Sequence, residues 1–160
     1  LKRIFIVLAV ISFALVGCSQ EPEGQTREPT TDWEPTIYGT VNSIDGVTMI
    51  VKVGTVSSTG LTVTFENNSD KQISYGEHFL LEKKIKGKWY QVPFALVGNP
   101  AFTDIGYSLD SSSVKEWKVD WDWLYGSLDN GEYRIVKDIL DFRNAGDYDK
   151  YHLTAEFTVD

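Results

Sequence analysis

The sequence predicts an all-β fold, an antiparallel β-sandwich of about seven to eight strands without an internal disulfide. Three observations carry this. From Ile37 onward, apolar residues alternate with polar ones in short runs separated by turn residues, which is the period of half-buried strands. No amphipathic stretch is long enough to supply the crossover helix that parallel strands need. The 160 residues contain one Cys, so no second thiol exists to pair with it.

Each element follows from that pattern. Val47, Met49, Val51 and Val53 share one face of a first strand. Leu61, Val63 and Phe65 alternate with Thr62, Thr64 and Glu66 in a second, which Asn67, Asn68, Ser69 and Asp70 stop with side chains that satisfy their own backbone. Residues 78–84 and 88–92 form a hairpin around Ile85, Lys86 and Gly87, where Gly supplies the positive φ of a tight connection. Residues 101–109 and 114–120 read as strands split by the turn Asp110-Ser111-Ser112-Ser113. Residues 132–140 place Tyr133, Ile135 and Ile139 on one face. Residues 151–159 alternate Tyr151, Leu153, Ala155, Phe157 and Val159 with His152, Thr154, Glu156 and Thr158. Between these last two strands, the charged residues 141–150 are expected to form an exposed loop.

Composition bounds the function. Hydrophobic residues at 42% and aromatics at 13% support one packed core, and the length suits one ordinary domain. A formal charge of −8 excludes nucleic acid as an expected partner, because phosphate binding depends on clustered cations. One Cys and two His cannot assemble a structural zinc site, and neither a metal nor a cofactor is expected.

The N-terminus reads as an address. Lys2 and Arg3 precede an uncharged apolar run over residues 4–17, shorter than the roughly 20 residues a membrane-crossing helix requires. Its end, Leu15-Val16-Gly17-Cys18-Ser19, resembles the lipobox of bacterial lipoproteins. That resemblance implies cleavage after residue 17, a diacylglycerol on the Cys18 thiol, and a protein held on the extracytoplasmic face of the cell membrane through that lipid. The mature chain would carry 13 Lys+Arg against 23 Asp+Glu, a formal −10, so lipid rather than a polybasic patch would have to hold it. Residues 18–36, rich in Pro, Glu and Thr, are expected to be a spacer, with Trp33 able to pack back on the domain or touch the membrane interface. The β domain is expected over residues 37–160.

Within the domain, Leu128-Asp129-Asn130-Gly131-Glu132-Tyr133 resembles the tyrosine corner of immunoglobulin-like folds. There Gly131 would permit a sharp entry and Tyr133 would bond the backbone a few residues upstream. Ile135 stands where antibody domains carry a Cys, so apolar packing alone must hold the core. Residues 61–69, Tyr75-Gly76-Glu77, Leu81-Glu82-Lys83-Lys84, Gly87-Lys88-Trp89-Tyr90, Trp121, residues 124–128 and residues 131–135 together resemble bacterial Ig-like domains of small Gram-positive cell-surface lipoproteins. That resemblance implies the fold and no established activity. A lesser likeness, through an Asn-containing strand end and a following hairpin, is to a Bacillus-type proteinase-inhibitor domain.

No nucleophile motif is present, and the serines at 111–113 have no neighbouring His to act as base, so an enzyme is not expected. His78 and His152 are expected at surface or satisfied structural positions. Asp120 with Asp122, and Asp141 with Asp147 and Asp149, lack the spacing of a calcium loop and read as solvated acids. Lys83, Lys84, Lys86 and Lys88 either meet an anionic polymer or headgroup or keep an exposed hairpin from pairing with other edges. Trp117, Val119, Trp121 and Trp123 lie two apart and would share a face of one strand. Either that stripe fills the core, or its rings stack on a glycan or anchor a protein of the cell envelope. Trp123 is the member expected at the surface, and Trp121, Trp123 and Tyr125 are the candidate ligand contacts. The expected function is a lipid-anchored binding module. The alternative is a proteinase inhibitor or an accessory module of an envelope enzyme.

Overall fold

The computed structural model describes residues 32–98 and 100–160. Two antiparallel sheets face each other across one core, as the alternating pattern requires. Strands β1 (Val47–Val51), β2 (Gly60–Asn67) and β7 (Ser113–Asp120) form the smaller sheet in the order β1-β2-β7. Strands β3 (Ile73–Tyr75), β4 (Leu80–Ile85), β5 (Lys88–Gln91), β6 (Tyr107–Leu109), β8 (Gly131–Asn144) and β9 (Asp147–Val159) form the larger.

β8 organises that larger sheet. One of its edges carries β9 from Gly131↔Val159 to Asn144↔Asp147. Its other edge is shared. β4 pairs from Lys83↔Tyr133 to Leu80↔Val136, and β3 then pairs at Ser74↔Leu140 and Ile73↔Asp141. Residues 76–79 leave the edge between the two, and β5 and β6 extend β4 and β3 outward.

The alternation predicted for β2 is observed: Leu61, Val63 and Phe65 are buried. They meet Val119 of β7 and, from the larger sheet, Leu81, Tyr133, Ile135, Ile139, Leu153 and Phe157 in one apolar cluster. Each such side chain contributes on the order of 1.5–3 kcal/mol by leaving water. Asn67 is buried without being orphaned. Its Nδ2 donates to the Lys71 and Leu109 carbonyls at 2.9 Å each, and its Oδ1 accepts from the Ser69 backbone N–H and hydroxyl.

Several elements differ from the sequence expectation. Val53 lies beyond β1 and is 96% exposed, because the chain turns at Val53 and Gly54, where Gly54 takes φ 76°. Of residues 101–109, only Tyr107–Leu109 form a strand. Residues 141–150 are the extended arms of the β8–β9 hairpin, turning at Ala145 and Gly146, where Gly146 takes φ 81°. Arg143 braces those arms through Asp147 at 2.8 Å and Asp149 at 3.0 Å. A one-turn helix, α1 (Asp122–Tyr125), follows β7.

The compact unit begins at Asp32 rather than at Ile37. Residues 32–42 strap the outer face of the larger sheet from one edge to the other. At β5, the Gln91 N–H donates to the Glu34 carbonyl and the Thr36 N–H to the Trp89 carbonyl, with a bridge between Pro35 and Tyr90. At β9, the Asn42 N–H donates to the His152 carbonyl, while its side chain accepts from the Thr154 N–H and donates to Thr154. Under the strap lie Glu82 and Arg134, an ion pair at 2.6 Å, with the guanidinium 4.7 Å from the Trp89 ring and bonded to Thr36 Oγ1.

Candidate functional site

Residues 92–106, joining β5 to β6, are the longest connection between two strands of the domain, and from Val92 to Thr103 the sequence carries no charge. They wrap α1 from two sides. The Val92 N–H donates to the Leu81 carbonyl and the Ala95 N–H to the Leu124 carbonyl, both at 2.9 Å, and the Phe94 ring lies 5.2 Å from Tyr125. Farther along, Phe102 packs edge-on against Trp123 at 5.5 Å, His78 at 5.0 Å and Phe79 at 5.7 Å. Between these anchors the loop turns apolar side chains to solvent. Val97 is 99% exposed, Leu96 41% and Phe94 39%, with Ile105 at 49% and Trp123 at 47% beside them. Scattered apolar residues are ordinary on a surface; several on one short uncharged run are the composition from which contact surfaces are built.

Of the three candidate ligand residues, only Trp123 lies at the surface. The helical turn at Asp122 breaks the period of two, so Trp123 leaves the inward line of Trp117, Val119 and Trp121. Its Nε1 donates to the Asp120 carbonyl at 3.1 Å. Trp121 is corrected to a core residue: it is fully buried, stacked on Phe157 at 5.5 Å, and donates to the Ser58 carbonyl at 2.9 Å. Tyr125 is likewise corrected. It is buried, its hydroxyl accepts the Leu81 N–H at 3.1 Å, and burial pushes that hydroxyl far above its ordinary pKa.

At the entry to β8, the Tyr133 hydroxyl donates to the Asp129 carbonyl at 2.8 Å. Gly131 sits under Lys83, whose ammonium reaches the Asn130 carbonyl and the Tyr133 ring face. Cys18 and the signal over residues 1–17 lie outside the described residues, as do residues 19–31 of the expected spacer.

Two further constellations were not visible as spacing. Lys137 points from β8 into the core and is fully buried. Its ammonium lies 4.0 Å from the Trp117 ring centroid and donates to the Gly76 carbonyl and, at 2.6 Å, to the His78 carbonyl, so it fastens the segment that interrupts β3 and β4. Burial pulls the amine down to about 7, against the opposing pull of Glu77 and Asp138.

On the outer face of the same strand, Asp138 accepts from His152 Nδ1 at 2.8 Å and Lys150 Nζ at 3.1 Å. Burial pushes its carboxyl up, but those two bonds outweigh burial and hold it below the usual carboxylate range. His78 is pushed down by burial, with Asp138 opposing. Asp138, His78, Asp104, Tyr148 and Lys150 border a cleft of about 430 Å³. Thus the two histidines, 74 positions apart in sequence, face one carboxylate. Because Asp138 is already satisfied by two donors, it orients His152. Among the described residues, no group of three or more His, Cys, Asp or Glu is placed to hold a metal ion.

What sequence reasoning missed was the loop. Its apolar residues read partly as a strand over 101–109. Two prolines, Pro93 and Pro100, and the pair Gly98-Asn99 were the available signal that strand pairing fails there.

The model of the bacterial Ig-like domain family matches residues 43–158. No curated protein matches the chain. Among solved structures, the chain is similar to the archaellum periplasmic stator protein FlaG from Sulfolobus acidocaldarius, at 16% identity over 70% of this chain and 98% of that one, with a TM-score of 0.34. It is also similar to the ASH/PapD-like domain 7 of human CEP192, at 8% identity over 78% and 96%, with a TM-score of 0.34.

Proposed function

The chain belongs to the bacterial Ig-like domain family, and from that premise we propose that it is an interaction module, tethered outside the cytoplasm by lipid on Cys18, whose contact surface is the loop of residues 92–106 together with Trp123. The observation that carries this reading is the exposure of Phe94, Leu96 and Val97 on one uncharged segment that is itself anchored to the core, with Ile105 farther along the loop and Trp123 on α1 also exposed. An anchored apolar loop presents contact area without a large ordering cost on binding. The lipobox-like run at residues 15–19 supports the tether.

The test has two arms. Cys18→Ser should move the full chain out of the membrane fraction or leave its signal uncleaved; unchanged fractionation and processing would remove the lipid anchor. A photoreactive residue placed at Trp123 or Leu96 in intact cells should capture a component of the cell envelope, whereas the same residue at Lys118 on the small sheet should not. Equal capture at both positions would remove the loop as the contact surface. Val97→Ser should weaken capture while leaving stability within about 0.5 kcal/mol, as expected for a fully exposed position, whereas Trp123→Ala should weaken it and also cost about 1 kcal/mol through the lost Asp120 hydrogen bond.

A further inference from the structure

The place where the N-terminal arm joins the domain identifies what the apolar loop meets. Asp32, Trp33 and Glu34 share the walls of a cleft of about 280 Å³ with Leu80, Pro93 and Phe94, so the arm meets the sandwich beside the start of the loop. Fourteen positions separate Cys18 from Asp32. Even drawn out straight, they hold Asp32 within about 50 Å of a lipid on Cys18. We propose that loop 92–106, with Trp123, is a second membrane contact: the domain rests on the lipid surface to which it is tethered, with Phe94, Leu96 and Val97 entering the interface and Trp123 at headgroup level. This rests on the lipid anchor proposed above.

The chemistry selects lipid over the other occupants. At the loop itself, between Val92 and Thr103, only Asn99 and Thr103 have polar side chains, so the groups that would orient a sugar there would have to come from flanking carboxylates. Exposed aliphatic residues at a tip with an indole beside them are the composition of an interfacial contact, because Trp favours the boundary between hydrocarbon and water. Tethering makes the encounter intramolecular, so a contact too weak to recruit a free domain is populated once the lipid is in place. Exposed Asp32 and Glu34 line the cleft beside Phe94, exposed Asp104 follows the uncharged run, and exposed Asp122 precedes Trp123. Anionic headgroups should therefore oppose the contact, unlike the usual basic surface anchor.

The experiment uses the full acylated chain carrying a single added thiol, Val97→Cys on the loop or Lys88→Cys on the β4–β5 hairpin as control. Each is labelled with an environment-sensitive fluorophore and reconstituted into phosphatidylethanolamine/phosphatidylglycerol vesicles with nitroxide-bearing acyl chains. The Val97 site should shift to the blue and lose emission to the nitroxide, the Lys88 site should do neither, and a larger phosphatidylglycerol fraction should reduce both effects at Val97. Protein that floats with the vesicles while the Val97 site stays solvent-like overturns this proposal and leaves the anchor standing. Protein that does not float overturns both. Loss of the Val97 signal on adding envelope proteins, with a crosslink from that position to one of them, would assign the loop to a protein partner instead.

Discussion

Lys137 is the side chain at which composition and environment disagree most. An ammonium held by two carbonyls and the Trp117 ring is well coordinated, yet burial still draws its pKa to about 7. Between about 7 and the ordinary 10.5, the unfolded chain holds a proton that the folded chain has released, so stability must rise with pH across that window and be lower below it. Urea midpoints measured from pH 7 to pH 9.5 should climb, and Lys137→Met should flatten the climb. The range stops at 9.5 because Tyr38, raised by burial to about 12, contributes in the opposite sense once unfolded tyrosines ionise near 10. The Glu82–Arg134 pair makes a second test. Glu82 is fully buried and its Oε1 has no hydrogen-bond partner among the described residues, so Arg134→Met should cost about 3–5 kcal/mol by leaving a buried carboxylate uncompensated. Glu82→Leu added to it should recover most of that loss in chemical denaturation. Neither residue could be identified from sequence. Lys137 occupies an inward position of a strand whose flanking residues alternate as expected, and only the third dimension supplies the ring and carbonyls that accept it.

At the level of elements, regular burial was legible and irregular cover was not. β2 and β9 were readable because one face of each is apolar and the other polar. Residues 141–150 were not, because both faces of those hairpin arms are largely exposed and the alternation that reports a core is absent. β3 is three residues long, too short for any period to show. The strap was hidden for a related reason: Thr36 and Asn42 act through hydrogen bonds to strand edges, which leave no hydropathy signature. A chain beginning at Asp32 should match the longer chain in stability. One beginning at Ser43 should lose about 3 kcal/mol or more, from three backbone bonds at about 1 kcal/mol each plus exposure of the Glu82–Arg134 pair. Thermal denaturation of the two truncations decides this, and equal stability would mean the strap is ornamental.

For the whole molecule, the two sheets leave strand edges that other chains can copy. Asn42 occupies part of the β9 edge with its own amide, using φ 53° to do so. Asn42→Gly keeps that backbone conformation accessible while removing the amide, so sedimentation velocity should show concentration-dependent association that the parent chain lacks. The apolar loop was the part of the candidate site least legible beforehand, since exposure is a property of the assembled molecule and the same residues would equally suit a buried strand. The strap has one more consequence. Tension from the N-terminal arm enters the sandwich through it, so a mechanical pull from that side loads Trp33, packed against the core, and then the Glu34–Gln91 and Thr36–Trp89 bonds. Those contacts lie between the arm and the sheets along the line of load, and parting them would uncover the Glu82–Arg134 pair.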